Sequence, residues 1–210
     1  MTGKELDRSV HQQLRTLSKE NAEGVAQHLV MVAALLAADE IDAALAHAET
    51  AVRRAGRVGA AHEALGMVAY RMGDYSRALA EFRTVRRITG SHHLIPLMVD
   101  AERGLGRHTR ALELASSAEA RALVGEDRAE LAIVVSGIRR DLGQLDAALV
   151  ALQLPELKKK SSFRLHYAYA DLLVGLGRIE EARDWFERSA SADHDGETDA
   201  VERLDELAGT

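Results

Sequence analysis

One short phrase recurs five times along this chain, and it restricts the fold more than any other feature. The copies run from Asp39 to Leu45, Gly73 to Leu79, Gly106 to Leu112, Gly143 to Leu149 and Gly177 to Arg183. Each opens on glycine or aspartate and reaches an alanine five residues later. These alanines, Ala44, Ala78, Ala111, Ala148 and Ala182, are spaced 34, 33, 37 and 34 apart. A unit of that length cannot bury its apolar face alone, so like units must stack side by side. Composition agrees: 47% of residues are apolar but only 4% are aromatic, and there are two prolines. Buried volume must therefore come from alanine, leucine and valine, which favours close-packed helices over strands.

The best copy runs from about Gly59 to His92 and carries Leu65, Gly66, Tyr70, Gly73, Tyr75, Ala78 and Phe82. This set resembles the tetratricopeptide repeat, a helix-turn-helix unit. The resemblance implies an all-α, right-handed α-solenoid of about five TPR-like helix hairpins with N- and C-terminal capping helices. Residues 1–20 are the N-terminal cap and 21–195 the repeats, at about 25–58, 59–91, 92–127, 128–162 and 163–195. Residues 196–210 form the C-terminal cap.

The repeat positions make physical demands that each copy meets or misses. Small residues belong where helix axes approach most closely. The five alanines supply them on the second helices, and Gly66 and Ala170 on the first. Val32, Val99 and Ser136 do not, which predicts splayed or shifted hairpins there. The large second-helix residue is Phe82 or Phe186 in two copies, but Ala48, Ala115 and Leu152 in the others. Gly73, Gly106, Gly143 and Gly177, with Asp39 as substitute, suit a turn that needs positive φ. Gly56 and Gly90 are expected to end second helices through left-handed caps. Pro96 suits a helix start. Pro155 ends the fourth second helix, and 155–162 reads as a loop. The extra residues behind the spacing of 37 fall between Ser116 and Arg128.

Both ends read as amphipathic helices. Residues 3–18 place Leu6, Val10, Leu14 and Leu17 on one stripe behind a Thr2/Glu5 capping box. Residues 197–208 carry Val201, Leu204 and Leu207, with Trp185 and Phe186 expected beneath them.

In the family that the chain resembles, first helices line a concave groove that takes a peptide or a partner helix. The register assigns to it Glu63, Met67, Tyr70 and Arg71, then His93, Leu97, Asp100 and Arg103. Ile133, Gly137 and Arg140 follow, and then Arg164, Tyr167 and Asp171. Arg71, Arg103 and Arg140 recur near one helical position, so they either grip a partner's carboxylates or are neutralised by Asp100 and Asp171. Leu29, Val30, Ala33, Leu36 and Ala37 are too apolar to face water: either the N-terminal helix covers them or they form an interaction patch. The family's clamp for acidic C-terminal tails needs asparagines, and Asn21, outside the groove, is the only one here.

These readings point to a non-catalytic scaffold whose partner is another protein, presenting an acidic or extended segment. No HExxH, GxSxG, phosphate loop or cysteine nucleophile is present, and no cofactor or metal is implied. The nine histidines are scattered, with only His92 and His93 adjacent. Asp193, Asp195, Glu197 and Asp199 lack calcium-loop spacing and suit the opening of the final helix. With no cysteine, no signal-peptide pattern and no membrane-length apolar run, the expected compartment is cytoplasmic. Two alternatives stand beside the scaffold. One is an RNA- or ribosome-associated helical repeat using Lys158, Lys159 and Lys160, although the formal charge of −6 gives no global attraction to nucleic acid. The other is a homo-oligomer stacked through incompletely capped ends.

Overall fold

Each repeated phrase reverses the chain because its first residue adopts a left-handed backbone that continues neither helix. In the computed structural model, which describes Gly3 and residues 5–208, Asp39 has φ 59°, Gly73 76°, Gly106 70°, Gly143 71° and Gly177 71°. Asp39 is the one non-glycine with positive φ among the described residues, a conformation that short polar side chains tolerate best.

All regular structure among the described residues is helical, in two compact units, residues 1–107 and 108–210. The first contains α1 (Arg8–Leu14), α2 (Lys19–Ala37), α3 (Ile41–Arg54), α4 (Gly59–Arg71), α5 (Tyr75–Thr89) and α6 (Ile95–Gly104). Here α2 packs on α3, α3 on α4, α4 on α5 and α5 on α6. The second contains α7 (His108–Ala115), α8 (Ala118–Arg121), α9 (Gly125–Asp141), α10 (Leu145–Ala151), α11 (Phe163–Gly175), α12 (Ile179–Ala192) and α13 (Ala200–Ala208). In it α9 packs on α10, α11 on α12, and α12 on α13. The extra residues before Arg128 form the short α8, capped by Ser117, whose hydroxyl accepts from the Ala120 amide.

All five repeat alanines are fully buried. In α4 and α5 the closeness they permit is extreme: a Cβ on Gly66 would lie 2.5 Å from Cε1 of the buried Phe82. The first hairpin exchanges volume across the same contact. Val32 is buried in one cluster with Ala44 and Ala48, so the first helix gains a side chain where the second gives one up. Ser136 is buried too, and its hydroxyl donates to the Ile133 carbonyl at 2.8 Å within its own helix.

Four local expectations are corrected. Gly90 caps α5 with φ 69°, but α3 ends on Ala55 at φ −141°, and Gly56 is not left-handed. The segment 155–162 is a loop only in part: residues 155–158 form a 3₁₀ turn, because Glu156 and Leu157 are buried and pin it inward, and 159–162 have no regular structure. The N-terminal helix spans only Arg8–Leu14. The chain turns through Arg15–Leu17, and Ser18, with extended backbone, starts α2; Leu6, Val10, Leu14 and Leu17 thereby fold back onto Val25, Ala26 and Leu29. Thr2, proposed for the capping box, lies outside the described residues. At the other end α13 starts at Ala200, which is buried while Val201 is 57% exposed. The inward stripe is the buried Ala200 with the partly buried Leu204 and Leu207, packed with Trp185 and Phe186.

Two histidines couple this packing to pH. The ring nitrogens Nδ1 of His28 (α2) and His47 (α3) are 2.9 Å apart, so the contact needs a proton on one of them only. Burial first, then His47, Arg54 and Arg53, lower the pKa of His28. His166 is buried; its Nε2–H donates to the Leu157 carbonyl at 3.0 Å, and burial again lowers its pKa. Between their folded values and the ordinary 6.5 the unfolded chain binds more protons, so stability is full above 6.5 and is lost as pH falls. The denaturant midpoint of the wild type should therefore fall between about pH 7 and pH 5.5. In a His28→Gln/His166→Gln variant the fall should be visibly smaller; an identical slope would show that neither ring matters.

Candidate functional site

Side chains of α4 meet, at a spacing of about one repeat, side chains of α6 and of the turns before α3 and α6. Glu63 Oε1 lies 3.2 Å from His93 Nε2, and the Tyr70 hydroxyl donates to Asp100. Arg71 donates to Asp39 at 2.9 Å, and Arg103 to the other oxygen of Asp100 at 3.4 Å. Burial, reinforced by the hydrogen bond to Asp100, raises the pKa of Tyr70, keeping it a donor. Met67 and Leu97 are half-buried beside these polar groups.

Next to this face lies a cleft of about 610 Å³, walled by Leu29, Val32 and Leu36 of α2 and by Ala64 and Met67 of α4, with Leu6 and Val10 on its third side. The expected N-terminal cover is thus partial. It buries Leu29, while Ala33 and Ala37 stay exposed, because α1 is too short to reach along α2.

The second unit repeats the arrangement. Arg140 donates to Asp171 at 2.6 Å, and Arg203 of α13 reaches the other Asp171 oxygen at 3.1 Å while lying 5.3 Å over the Phe186 ring. Arg164 grips Glu130 at 2.7 and 3.1 Å and approaches Glu197 at 3.6 Å. Burial and a hydrogen bond to Asp199 push the Tyr167 pKa up to about 12. Ile133 and Arg164 line a second cleft, of about 620 Å³, rimmed by Glu126, Asp127 and Glu130. Gly137, assigned to the groove face from the register, is buried instead: α9 turns this position inward. Lys158, Lys159 and Lys160 are exposed.

The acidic segment before α13 is organised by its own chain. Desolvation would push the Asp193 pKa up, but hydrogen bonds from Thr198 and the amides of Glu197, Thr198 and Gly196 outweigh it and lower it. Among the described residues no group of three or more histidines and carboxylates is placed to hold a metal ion.

The register named both partners of Glu63–His93, Tyr70–Asp100, Arg103–Asp100 and Arg140–Asp171, but missed Asp39, Glu130, Asp199 and Arg203, the partners of Arg71, Arg164, Tyr167 and Asp171. A signal was present. Partners lie 28 to 34 residues apart in examples such as Arg128 with Glu156, Tyr70 with Asp100, Arg140 with Asp171, and Arg164 with Glu130. Searching for complementary side chains at the repeat period would have found them.

The tetratricopeptide repeat family matches residues 29–92 and again 163–195. Among solved structures, a thermophilic TPR protein from Thermus thermophilus is similar, with a TM-score of 0.71 at 21% identity over 89% of this chain and 100% of that one. The pilF protein of Pseudomonas aeruginosa follows at TM-score 0.63 and 14% identity, covering 91% of this chain and 90% of its own. YrrB, described as a TPR protein with an unusual peptide-binding site, has TM-score 0.50 and 17% identity, covering 85% and 90%. No curated protein sequence matches the chain. No helix among the described residues is long and apolar enough to cross a membrane.

Proposed function

This chain is a tetratricopeptide-repeat protein, and from that premise we propose that it is a non-catalytic scaffold in the cytoplasm whose first-helix face binds an extended, acidic segment of a partner protein. TPR domains generally mediate protein–protein interaction, and the peptide-binding site described for YrrB is in keeping with this reading.

The observation that carries the acidic preference is the looseness of the pair around Arg71. Its side chain is 46% exposed and that of Asp39 81%. Such an ion pair contributes only about 0–1 kcal/mol in water, so a partner's carboxylate displaces Asp39 at little cost and gains a bidentate contact. Arg103 is held differently. Its contact to Asp100 is long, at 3.4 Å, and Asp100 is also bound by Tyr70. The apolar cleft beside Met67 accepts an aliphatic side chain flanking the acidic residues.

The test is fluorescence anisotropy with short labelled peptides that combine a leucine with two or three glutamates, against versions carrying lysine instead. Acidic peptides should bind the wild type and lose at least about tenfold in affinity to Arg71→Glu/Arg103→Glu. Equal binding of both peptide sets, or no loss in the variant, would remove this face from consideration.

A further inference from the structure

The 3₁₀ turn at 155–158 and the C-terminal end of α12 enclose a separate cleft of about 640 Å³ in the second unit. Lys158, Lys159, Lys160, Arg188 and His194 line it, together with Ser161. No carboxylate does, in a chain whose formal charge is −6. Lys159 also acts on Glu156, whose charge is already matched by Arg128. Lys158, Lys160 and Arg188 have no carboxylate within ion-pair distance among the described residues. Leaving several cations together without a counter-ion costs folding energy through repulsion, and a bound anion relieves it.

We propose that this cleft binds the phosphate monoester of a phosphorylated protein segment. Arg188 is pre-positioned for it. Its guanidinium lies 4.3 Å over the Trp185 ring, so one face is stacked and the N–H edge stays open for two parallel bonds to phosphate oxygens. The lysines close on the remaining oxygens as mobile point charges, and the Ser161 hydroxyl is a further donor. The floor is fixed by buried His166, which ties α11 to the Leu157 carbonyl; its buried Nδ1 has no hydrogen-bond partner.

Two features favour a monoester over a nucleic-acid backbone. Several cations converging on one compact cleft match a dianion, whereas a strand of single-charge diesters is tracked by cations spread along a groove. Single-stranded RNA also needs aromatic faces for its bases. The Trp185 ring is covered by Arg188 and packed by His166 and Tyr169 at 5.4 and 4.9 Å, and the cleft lining holds no Phe, Tyr or Trp. That the phosphate is carried by a protein rests on the scaffold reading above, but the site is distinct from the Arg71 face and its test does not use that face.

Trp185 is the only tryptophan of the chain and touches the proposed ligand-binding arginine, so its fluorescence reports the site directly. Titration with a short neutral peptide bearing one phosphoserine should give a saturable change, and the unphosphorylated peptide none. Lys158→Gln/Lys160→Gln, which removes only exposed charge, should weaken binding at least about tenfold. Arg188→Lys should weaken it as well, followed by calorimetry because the ring's own baseline will shift. The proposal is overturned if the phosphate produces no change, or if the lysine variant binds like wild type. It is also overturned if inorganic phosphate binds as tightly as the phosphopeptide, which makes this a free-anion site. Tighter binding of decauridylate RNA at about 150 mM salt would replace it with the nucleic-acid reading.

Discussion

Phe82→Ala will melt the first unit about 13–22 °C below the wild type, the largest effect expected from any single side chain there. Phe82 is fully buried at the contact between α4 and α5, where Gly66 lets its ring approach the opposite backbone. Removing the ring costs about 3–5 kcal/mol, transfer and cavity together, and that range converts to the stated shift for a unit of this size. The same contact predicts the reverse failure. Gly66→Ala sets a Cβ 2.5 Å from a ring that is fully buried and rigid, and such overpacking costs about 1–3 kcal/mol. The decisive measurement is the pair. Gly66→Ala with Phe82→Leu should cost clearly less than the two single changes summed, because the shorter side chain vacates the space that the new methyl needs. Strict additivity in a thermal or denaturant melt would mean that glycine and ring do not share a contact.

Arg128→Ala should destabilise the second unit by about 2–4 kcal/mol, by stranding the Glu156 carboxylate rather than by losing a surface charge. The Glu156 side chain is 6% exposed, and Arg128 is its ion-pair partner. Arg128 itself is 38% exposed, so solvent moderates the loss and places it toward the lower end of the range. Burial pushes the Glu156 pKa up, but the Arg128 hydrogen bond, the backbone amide and the charges of Arg128 and Lys159 outweigh it and hold it below 4.5. The pair's contribution is therefore complete above pH 4.5 and disappears as pH falls through the lower folded value. Accordingly, the gap between Arg128→Ala and wild type should narrow in acid. Arg128→Met/Glu156→Leu should recover most of the stability at neutral pH, since a packed apolar pair avoids the desolvation cost. If the double variant is as unstable as Arg128→Ala, buried charge is not the cause. Because Glu156 pins the turn that carries Lys158 to Lys160, Arg128→Ala should also blunt phosphopeptide binding while the double variant restores it.

The hairpins were legible because their signals are local. A left-handed turn residue, a buried alanine five positions later and a period near 34 act within a few residues of backbone, and Gly73, Ala78 and Phe82 stand where those rules put them. Gly56 shows where local reading fails. Glycine permits a left-handed cap without requiring one, and Ala55, whose amide donates to Ala51 and Val52, ended α3 first. Val201 failed similarly: Leu204 and Leu207 stand on the packed stripe as expected, but its first position is Ala200, which packs with Phe186 and Trp185 while Val201 faces solvent. For the candidate site, the first-helix register named Arg71, Asp100 and Arg140 but not Asp39 or Arg203.

By itself, then, the sequence determined an all-helical repeat, its turns, and which small residues lie between helices, since these follow from backbone sterics and from periodicity within a single unit. Tertiary structure decided which charges are already answered and which are not. Arg140 finds Asp171 and Arg203 joins it from α13, while Lys158, Lys160 and Arg188 converge without a carboxylate. The reason is range: a turn is decided by the torsions of one residue, but the charge around a guanidinium depends on every helix that packs within a few ångströms of it.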